Sequence, residues 1–195
     1  GSDWGAISDT EAAAITSRVV TSLAPQLQHE ILSSSARYRY LLRKLEQTLQ
    51  RAVAVLSEHA RRGQFRPLAV ETSFGRRGEL PPLVLEAGSS CQVFLEGRVD
   101  RIDVAHYQDK YYLRVIDYKS SPMSLKLEDV YHGLSLQLPL YLQAALAVAP
   151  DLLGETAEPA GLLYFAVCNP ILRQKGPIND ATEIENLHRR YLKMR

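Results

Sequence analysis

Asp117 and Lys119 stand two residues apart in a run of strand formers, Tyr111-Tyr112-Leu113-Arg114-Val115-Ile116-Asp117-Tyr118-Lys119. On an extended strand side chains alternate between faces, so the carboxylate and the ammonium project together and Tyr118 projects the other way. A third charge, Asp100, lies in the preceding run, Gly97-Arg98-Val99-Asp100. The break between the two runs falls at the polar tip Gln108-Asp109-Lys110, which predicts a hairpin between Leu95 and Ser121. Pairing across that turn brings Asp100 within reach of Asp117 and gathers two carboxylates and one lysine at the end of a small sheet. Carboxylate oxygens are the ligands Mg²⁺ prefers, usually one or two per site. A lysine beside them can stabilise charge on phosphate, or orient or deprotonate a water. The competing reading is a solvated ion pair at a strand end. Charges inside otherwise apolar strands are costly to bury without a partner or a metal, which favours a site.

The surrounding elements must hold these residues in place. From about Ser8 to Leu32 the pattern predicts a helix capped by Ser8 or Asp9, with Glu11 in its first turn and Pro25 ending or kinking it. A second helix runs from about Ser34 to Arg62, where Tyr38, Leu42, Leu45, Leu49, Val53 and Leu56 make one apolar stripe read as core, and Gly63 stands at the stop. Phe65 to Phe74 reads as a strand, Gly75 to Gly78 as a turn, and Leu83 to Glu86 as a short strand after Pro81-Pro82. Glu71 either faces the carboxylate pair or forms an ion pair with an arginine, and the ion pair is preferred. Beyond the hairpin the chain leaves the sheet at Ser120-Ser121-Pro122. Leu127 to Ala149 reads as one apolar helix, bent at Gly133 and Pro139 and buried against the sheet. Gln137 and Tyr141 share a face of it, one turn apart. A loop over Asp151 to Pro159 and a strand over Gly161 to Cys168 follow. Ile171 to Asn179 reads as irregular, before a last helix capped by Asp180 and Glu183 and carrying Arg189, Arg190, Lys193 and Arg195. Alternating helices and strands argue for an α/β chain with a mixed sheet between helical layers.

Composition excludes several classes. The chain has 195 residues, 46% of them hydrophobic, enough for one domain with a real core. No apolar run approaches the roughly 18 to 20 residues that span a bilayer, and no signal peptide opens the chain, so no membrane role is expected. Cys91 and Cys168 lack C-x-x-C spacing and read as reduced thiols of a cytosolic protein. His29, His59, His106, His132 and His188 lack metal-ligand spacing, and there is no G-x-x-x-x-G-K-[ST] loop for a nucleotide. The net charge is only +1, yet Arg37, Arg39, Arg43, Lys44, Arg51, Arg61, Arg62 and Arg66 face only Glu46 and Glu58 between positions 34 and 66. Such a run is either a phosphate-tracking face or a solvated one. Gly1-Ser2 reads as a cloning scar (residues 1–2), followed by a helical part over 3–63 and a core over 64–195, in a chain expected to be an excised piece of a longer protein.

The ordered set of motifs carries a resemblance. Gly97-Arg98-Val99-Asp100-Arg101-Ile102-Asp103, Asp117-Tyr118-Lys119-Ser120-Ser121 and Gly133-Leu134-Ser135-Leu136-Gln137-Leu138-Pro139-Leu140-Tyr141-Leu142 resemble the core motifs of RecB-like nucleases of the PD-(D/E)XK superfamily. Ile31 to Tyr40, Phe65-Arg66-Pro67 leading to Glu71, and Pro159 to Phe165 fit as well, so the likeness covers nearly the whole chain. It implies a restriction-endonuclease-like α/β core, a mixed sheet flanked by helices, behind a helical N-terminal region. It implies metal-dependent hydrolysis of DNA, with Asp100 and Asp117 holding Mg²⁺ or Mn²⁺ together with the backbone carbonyl of Ile116 or Tyr118. Lys119 would orient or activate water or stabilise the transition state, and Gln137 and Tyr141 would lie beside it. Arg37, Arg39, Lys119 and Gln137 would contact DNA. The implied partners are single-stranded DNA fed by a helicase motor and the A subunit of a bacterial cytoplasmic helicase-nuclease that resects broken ends at the nucleoid.

Two family features have no counterpart here. The branch's metal-site histidine lies on a helix upstream of this region, and the cysteines of the iron-sulfur cluster, one before the core and three after it, do not match Cys91 or Cys168. The expectation is therefore a retained fold, no cluster in this chain although one is possible in the full-length parent, and weak or no cleavage by the chain alone. The alternative is a DNA-guiding or subunit-docking module with a vestigial site. An enzyme acting on small molecules would need a closed apolar pocket, of which the sequence gives no sign.

Overall fold

The computed structural model describes residues 4–26, 35–88, 91–168, 180, 182–183 and 186–187. It forms two compact units, Gly1–Gly63 with Val167–Arg195, and Gln64–Ala166.

The first unit holds two helices. Helix α1 (Asp9–Leu23) starts where Ser8 accepts the Glu11 N–H, with Asp9 and Glu11 in the first turn where carboxylates suit the helix dipole. It gives way to a 3₁₀ turn over Ala24–Gln26, so the helix stops before Pro25, one of the two outcomes expected of that proline. Helix α2 (Ala36–Arg62) is capped by Ser35 and closed by Gly63, whose N–H donates to the His59 carbonyl. The two helices are tied by the Ser17 hydroxyl donating to Glu46, Gln50 Nε2 donating to Ser17 Oγ at 3.1 Å, and Arg61 bridging to Asp9 at 3.2 Å. The expected stripe on α2 is core only in part: Leu56 is buried, but Leu45 is 45% exposed. Residues 27–34 lie outside the described residues, as do His29, His188, Ile171 to Asn179 and the cations Arg189, Arg190, Lys193 and Arg195. Of the last expected helix, Asp180 Oδ1 accepts the Thr182 N–H at 2.9 Å. Among the described residues no helix is long and apolar enough to cross a membrane.

The second unit is built on a four-stranded sheet. Strands β1 (Arg66–Phe74), β4 (Gly97–Tyr107), β5 (Lys110–Lys119) and β6 (Ala157–Ala166) lie in that order. The first two pairings are antiparallel and β5 with β6 is parallel, which makes the sheet mixed. The β4–β5 turn closes on Gln108 (φ 49°) and Asp109 (φ 59°), the two left-handed residues that a tight hairpin matching strand twist requires. Between β1 and β4 a two-stranded hairpin, β2 (Leu83–Ala87) and β3 (Cys91–Leu95), stands apart from the sheet. Strand β3 is not among the elements that the sequence pattern predicts, and its burial explains why: four of its five residues are exposed, so no alternating pattern marks it.

The single apolar helix expected after the hairpin is three: α3 (Leu127–Tyr131), α4 (Gln137–Ala147) and α5 (Ala149–Leu153). The expected loop from Asp151 is likewise displaced by α5 and by β6, which begins at Ala157. The break has a local cause. Gly133 takes φ +74°, the Leu134 N–H reaches back to the Asp129 carbonyl at 2.7 Å and the Gly133 N–H to Val130 at 3.0 Å, a complete Schellman stop. Pro139 then falls on the first turn of α4, where its missing N–H has no partner to lose.

Helix α4 packs on the sheet as expected. Leu138, Ala144 and Ala145 meet Ile102, Leu113 and Val115 in one buried cluster. The other alternation of the hairpin carries a buried ionic network. Asp103 is fully buried and accepts from Arg101 Nε at 2.5 Å and Nη2 at 3.1 Å, and from Arg114 Nε at 2.9 Å and Nη2 at 2.7 Å. The Arg114 guanidinium also lies 4.4 Å over the Phe65 ring. Removing one partner of a buried pair leaves the other charge uncompensated. Asp103→Ala is therefore expected to lower unfolding free energy by about 3–5 kcal/mol in urea denaturation followed by circular dichroism. A loss below about 1 kcal/mol would place the trio among ordinary surface pairs.

Candidate active site

Asp117 extends the row of Leu113 and Val115, so its carboxylate sits at the end of the apolar face of β5 and is only 2% exposed. Its Oδ1 accepts from Gln137 Nε2 at 2.9 Å. Its Oδ2 lies 2.6 Å from Lys119 Nζ, yet the same oxygen has no hydrogen bond of acceptable geometry. Distance and direction disagree there; the separation shows an ion pair, and the poor angle leaves a buried oxygen that is compensated in charge but not saturated in hydrogen bonds.

Asp100 arrives from the neighbouring strand. The β4–β5 ladder runs to Arg101 opposite Ile116, and Asp100 is the next residue along β4. At that point the Tyr118 N–H donates to Asp100 Oδ2 at 2.7 Å, which fixes the second carboxylate against the backbone of the strand that carries the first. The phenol of Tyr118 points the other way, toward Arg101 Nη1 at 3.4 Å, and its ring meets Phe165 edge-on.

Gln137 is the first residue of α4 and bridges the charges. Its amide donates to Asp117 and to Tyr141 Oη at 3.2 Å, while its Oε1 accepts from Lys119 Nζ at 3.2 Å. A carboxylate only accepts and an ammonium only donates, so this is the amide orientation that serves both. Tyr141, one turn on, packs edge-on to Phe74 with centroids 5.9 Å apart. A side chain at Gly97 would press within 3.0 Å of Phe74 and 3.4 Å of Tyr141, which is why a glycine precedes Asp100 in its motif.

The structure thus brings Asp100, Asp117, Lys119, Gln137 and Tyr141 together. Arg37 and Arg39 lie in the first turn of α2, in the first unit. Glu71 forms an ion pair with Arg98 at 3.2 Å, both side chains largely exposed. Tyr164 is an addition that residue patterns did not reveal. It neighbours Asp117 in the parallel register of β6, and Lys119 Nζ stands 5.6 Å over its ring. No spacing in the sequence could show this, because the contact depends on which strand lies next to β5.

The Asp117 carboxylate, 2.6 Å away, holds the Lys119 amine above the usual lysine range. Partial burial opposes it, and the charge of Asp117, Tyr164 and Asp100 add to it. Without another cation Lys119 is therefore a proton donor, not a base. A hard divalent cation suits the donor set of two carboxylates, one with an unsaturated buried oxygen. Among the described residues no group of three or more His, Cys, Asp or Glu is placed to hold a metal, so water would fill much of the shell.

Comparison with known proteins gives the family. The family model for the PD-(D/E)XK nuclease superfamily matches residues 5–194. The chain belongs to that superfamily. It is 70% identical over all 195 residues to the B subunit of the ATP-dependent helicase/deoxyribonuclease of Moorella thermoacetica, covering 17% of that protein. To the B subunits of the same name in Desulforamulus reducens and Listeria welshimeri it is 48% and 42% identical, covering 95% and 96% of the chain and 16% of each relative. The chain thus spans about a sixth of the relatives it matches.

A lysine whose folded pKa is raised contributes stability that is present below its unfolded pKa and lost as pH rises through the folded one. In EDTA, the difference in unfolding free energy between wild type and Lys119→Met should stay constant from neutral pH to about 10 and shrink above the ordinary lysine value of about 10.4. A difference that grows with pH would mean that Lys119 does not hold its proton against Asp117.

Proposed function

We propose that this chain is the metal-dependent deoxyribonuclease module of a bacterial helicase-nuclease subunit of the AddB type. In this reading it hydrolyses phosphodiester bonds in single-stranded DNA delivered by a helicase partner, in the resection of double-strand breaks for recombination repair in the cytoplasm. The observation that carries the reading is the unsaturated, buried Asp117 oxygen beside Asp100, Lys119 and Gln137, in a PD-(D/E)XK chain that matches a helicase/deoxyribonuclease B subunit over its full length.

The roles follow from the contacts. Asp100 and Asp117, with the Tyr118 or Ile116 carbonyl, would hold Mg²⁺ or Mn²⁺. When bound, such an ion lowers the pKa of a coordinated water and neutralises charge on phosphoryl oxygens. Asp117 is kept as an acceptor by Gln137, whose N–H occupies Oδ1 and leaves Oδ2 for a cation. Lys119 donates to the oxygen that gathers negative charge as the phosphoryl group is attacked. Gln137 gives its ammonium a second acceptor at 3.2 Å and so keeps it at the site when Asp117 turns to another cation. Tyr141 limits the Gln137 amide to one orientation. Lys119 and Gln137, with Arg37 and Arg39, would contact the DNA.

Calorimetric titration with Mg²⁺ and Mn²⁺ tests this directly. One stoichiometric site in the wild type that disappears in Asp117→Ala supports the reading, and identical isotherms for the two proteins would sink it. Lys119→Met should bind the cation at least as tightly, because the competing ammonium is gone, while cleavage of single-stranded DNA falls on the order of 100-fold or more. Weak or absent cleavage by the chain alone is expected where the upstream metal-site histidine is needed; cation binding without cleavage in the longer protein would favour the DNA-guiding module instead.

A further inference from the structure

Residues 120–136 connect the strand that ends at Lys119 to the helix that begins at Gln137, and both of those residues contact the Asp117–Gln137 cluster. This connection exposes large apolar side chains: Met123 49%, Leu127 76%, Tyr131 86%, Leu134 79% and Leu136 43%. Exposed apolar residues scattered singly need no explanation, but five in one short segment indicate a binding surface. The Schellman stop sharpens the point. The residue after its glycine commonly packs back onto the helix it closes, yet here Leu134 stands in solvent.

The chemistry of the segment selects its partner. Lys126 is outweighed by Glu128 and Asp129, so the surface offers phosphate no net attraction. Tyr131 is the most exposed of the large apolar side chains among the described residues, His132 meets its ring edge-on at 5.2 Å, and Leu127 lies one turn back on the same helix face. An accessible aromatic face with an apolar flank and no excess positive charge suits a nucleobase and not a backbone. Only unpaired bases present such faces. Because both ends of the segment are fixed at the reaction centre, a strand whose phosphate lies there passes alongside it.

We propose that residues 120–136 are a base-stacking platform, on which Tyr131 stacks unpaired nucleobases of the strand held at Asp100, Asp117 and Lys119. This rests on the nuclease reading above and deepens it: the platform selects single-stranded substrate without reading sequence.

The test measures affinity by fluorescence anisotropy, in Mg²⁺ and over a range of salt, for two oligonucleotides with hydrolysis-resistant phosphorothioate linkages. One is oligo(dT) and the other is abasic, equal in length and charge. The wild type should prefer oligo(dT). Tyr131→Ala should weaken oligo(dT) binding roughly five- to a hundredfold, the range of base–aromatic stacking. It should leave the abasic strand unaffected and the slope of log K against log salt unchanged, since no phosphate contact is removed. Tyr131→Phe should retain wild-type affinity. Equal losses on both strands, an altered salt slope, or no loss overturns the platform, as does failure of the wild type to bind either strand. Self-association of the wild type that disappears in Tyr131→Ala, seen by sedimentation velocity, assigns the surface to protein contact and also overturns it. Mg²⁺ calorimetry on the same proteins reports the reaction centre separately, so loss of the platform with an intact cation site is distinguished from loss of the nuclease reading.

Discussion

A carboxylate charge buried at the end of an apolar sheet face is the constraint on which the second unit turns. Asp117 has solvent on almost no side, and an isolated charge there would neutralise itself by taking up a proton. Lys119 supplies the opposite charge and Gln137 the directional hydrogen bond. The position of Gln137 depends in turn on where α4 begins, and α4 begins there because Gly133 ends α3 a few residues earlier. Leu138, Ala144 and Ala145 then anchor α4 on Leu113 and Val115 of the strand that carries Asp117. A left-handed glycine far from the carboxylate in sequence therefore sets the geometry of its first hydrogen bond.

The same hairpin buries a second aspartate, and the contrast separates structure from chemistry. Asp103 receives donors from Arg101 and Arg114 on both oxygens. Burial by itself would lower the proton affinity of Arg101, but the bonds and charge of Asp103, with Tyr118, raise it overall, so the guanidinium keeps its charge. Nothing remains on Asp103 for a ligand. Asp117, by contrast, keeps one oxygen held by charge alone. Burial and ionic pairing do not distinguish the two residues; hydrogen-bond saturation does. Tyr118 joins the two sides, since its backbone N–H holds Asp100 and its phenol contacts Arg101.

Much of this is legible in the sequence because it is local. The hairpin, its turn, and the shared face of Asp117 and Lys119 follow from a repeat of two, and the shared face of Gln137 and Tyr141 from a helical turn. Ser8 and Gly63 bound their helices as capping chemistry requires. What escapes depends on information that pattern does not hold. Strand β3 is exposed on nearly every residue and shows no alternation. Gly133 reads as a bend because periodicity continues through Leu136, Leu138 and Leu142, whereas the hydrogen bonds end the helix outright. Leu45 keeps the spacing of its stripe yet stands in solvent, since periodicity identifies a face and not how far a partner covers it. Tyr164 and the saturation of Asp103 need the strand order. The resemblance names the motif residues, but only coordinates separate the aspartate that is satisfied from the one that is not.

The arrangement of charge and apolar surface bears on what such a site can discriminate. At the reaction centre the available groups are carboxylates, an ammonium and an amide, all suited to a phosphate, a cation or water, which are the same at every nucleotide. On the adjoining connection the available surface is one aromatic ring with leucines, which in the proposed platform would meet the π face that every base shares. Neither surface offers the paired donors and acceptors by which base edges are told apart. With the proposed platform, a module built this way would distinguish paired from unpaired strands and leave sequence unread. Any selection by sequence would then have to come from groups outside these two surfaces.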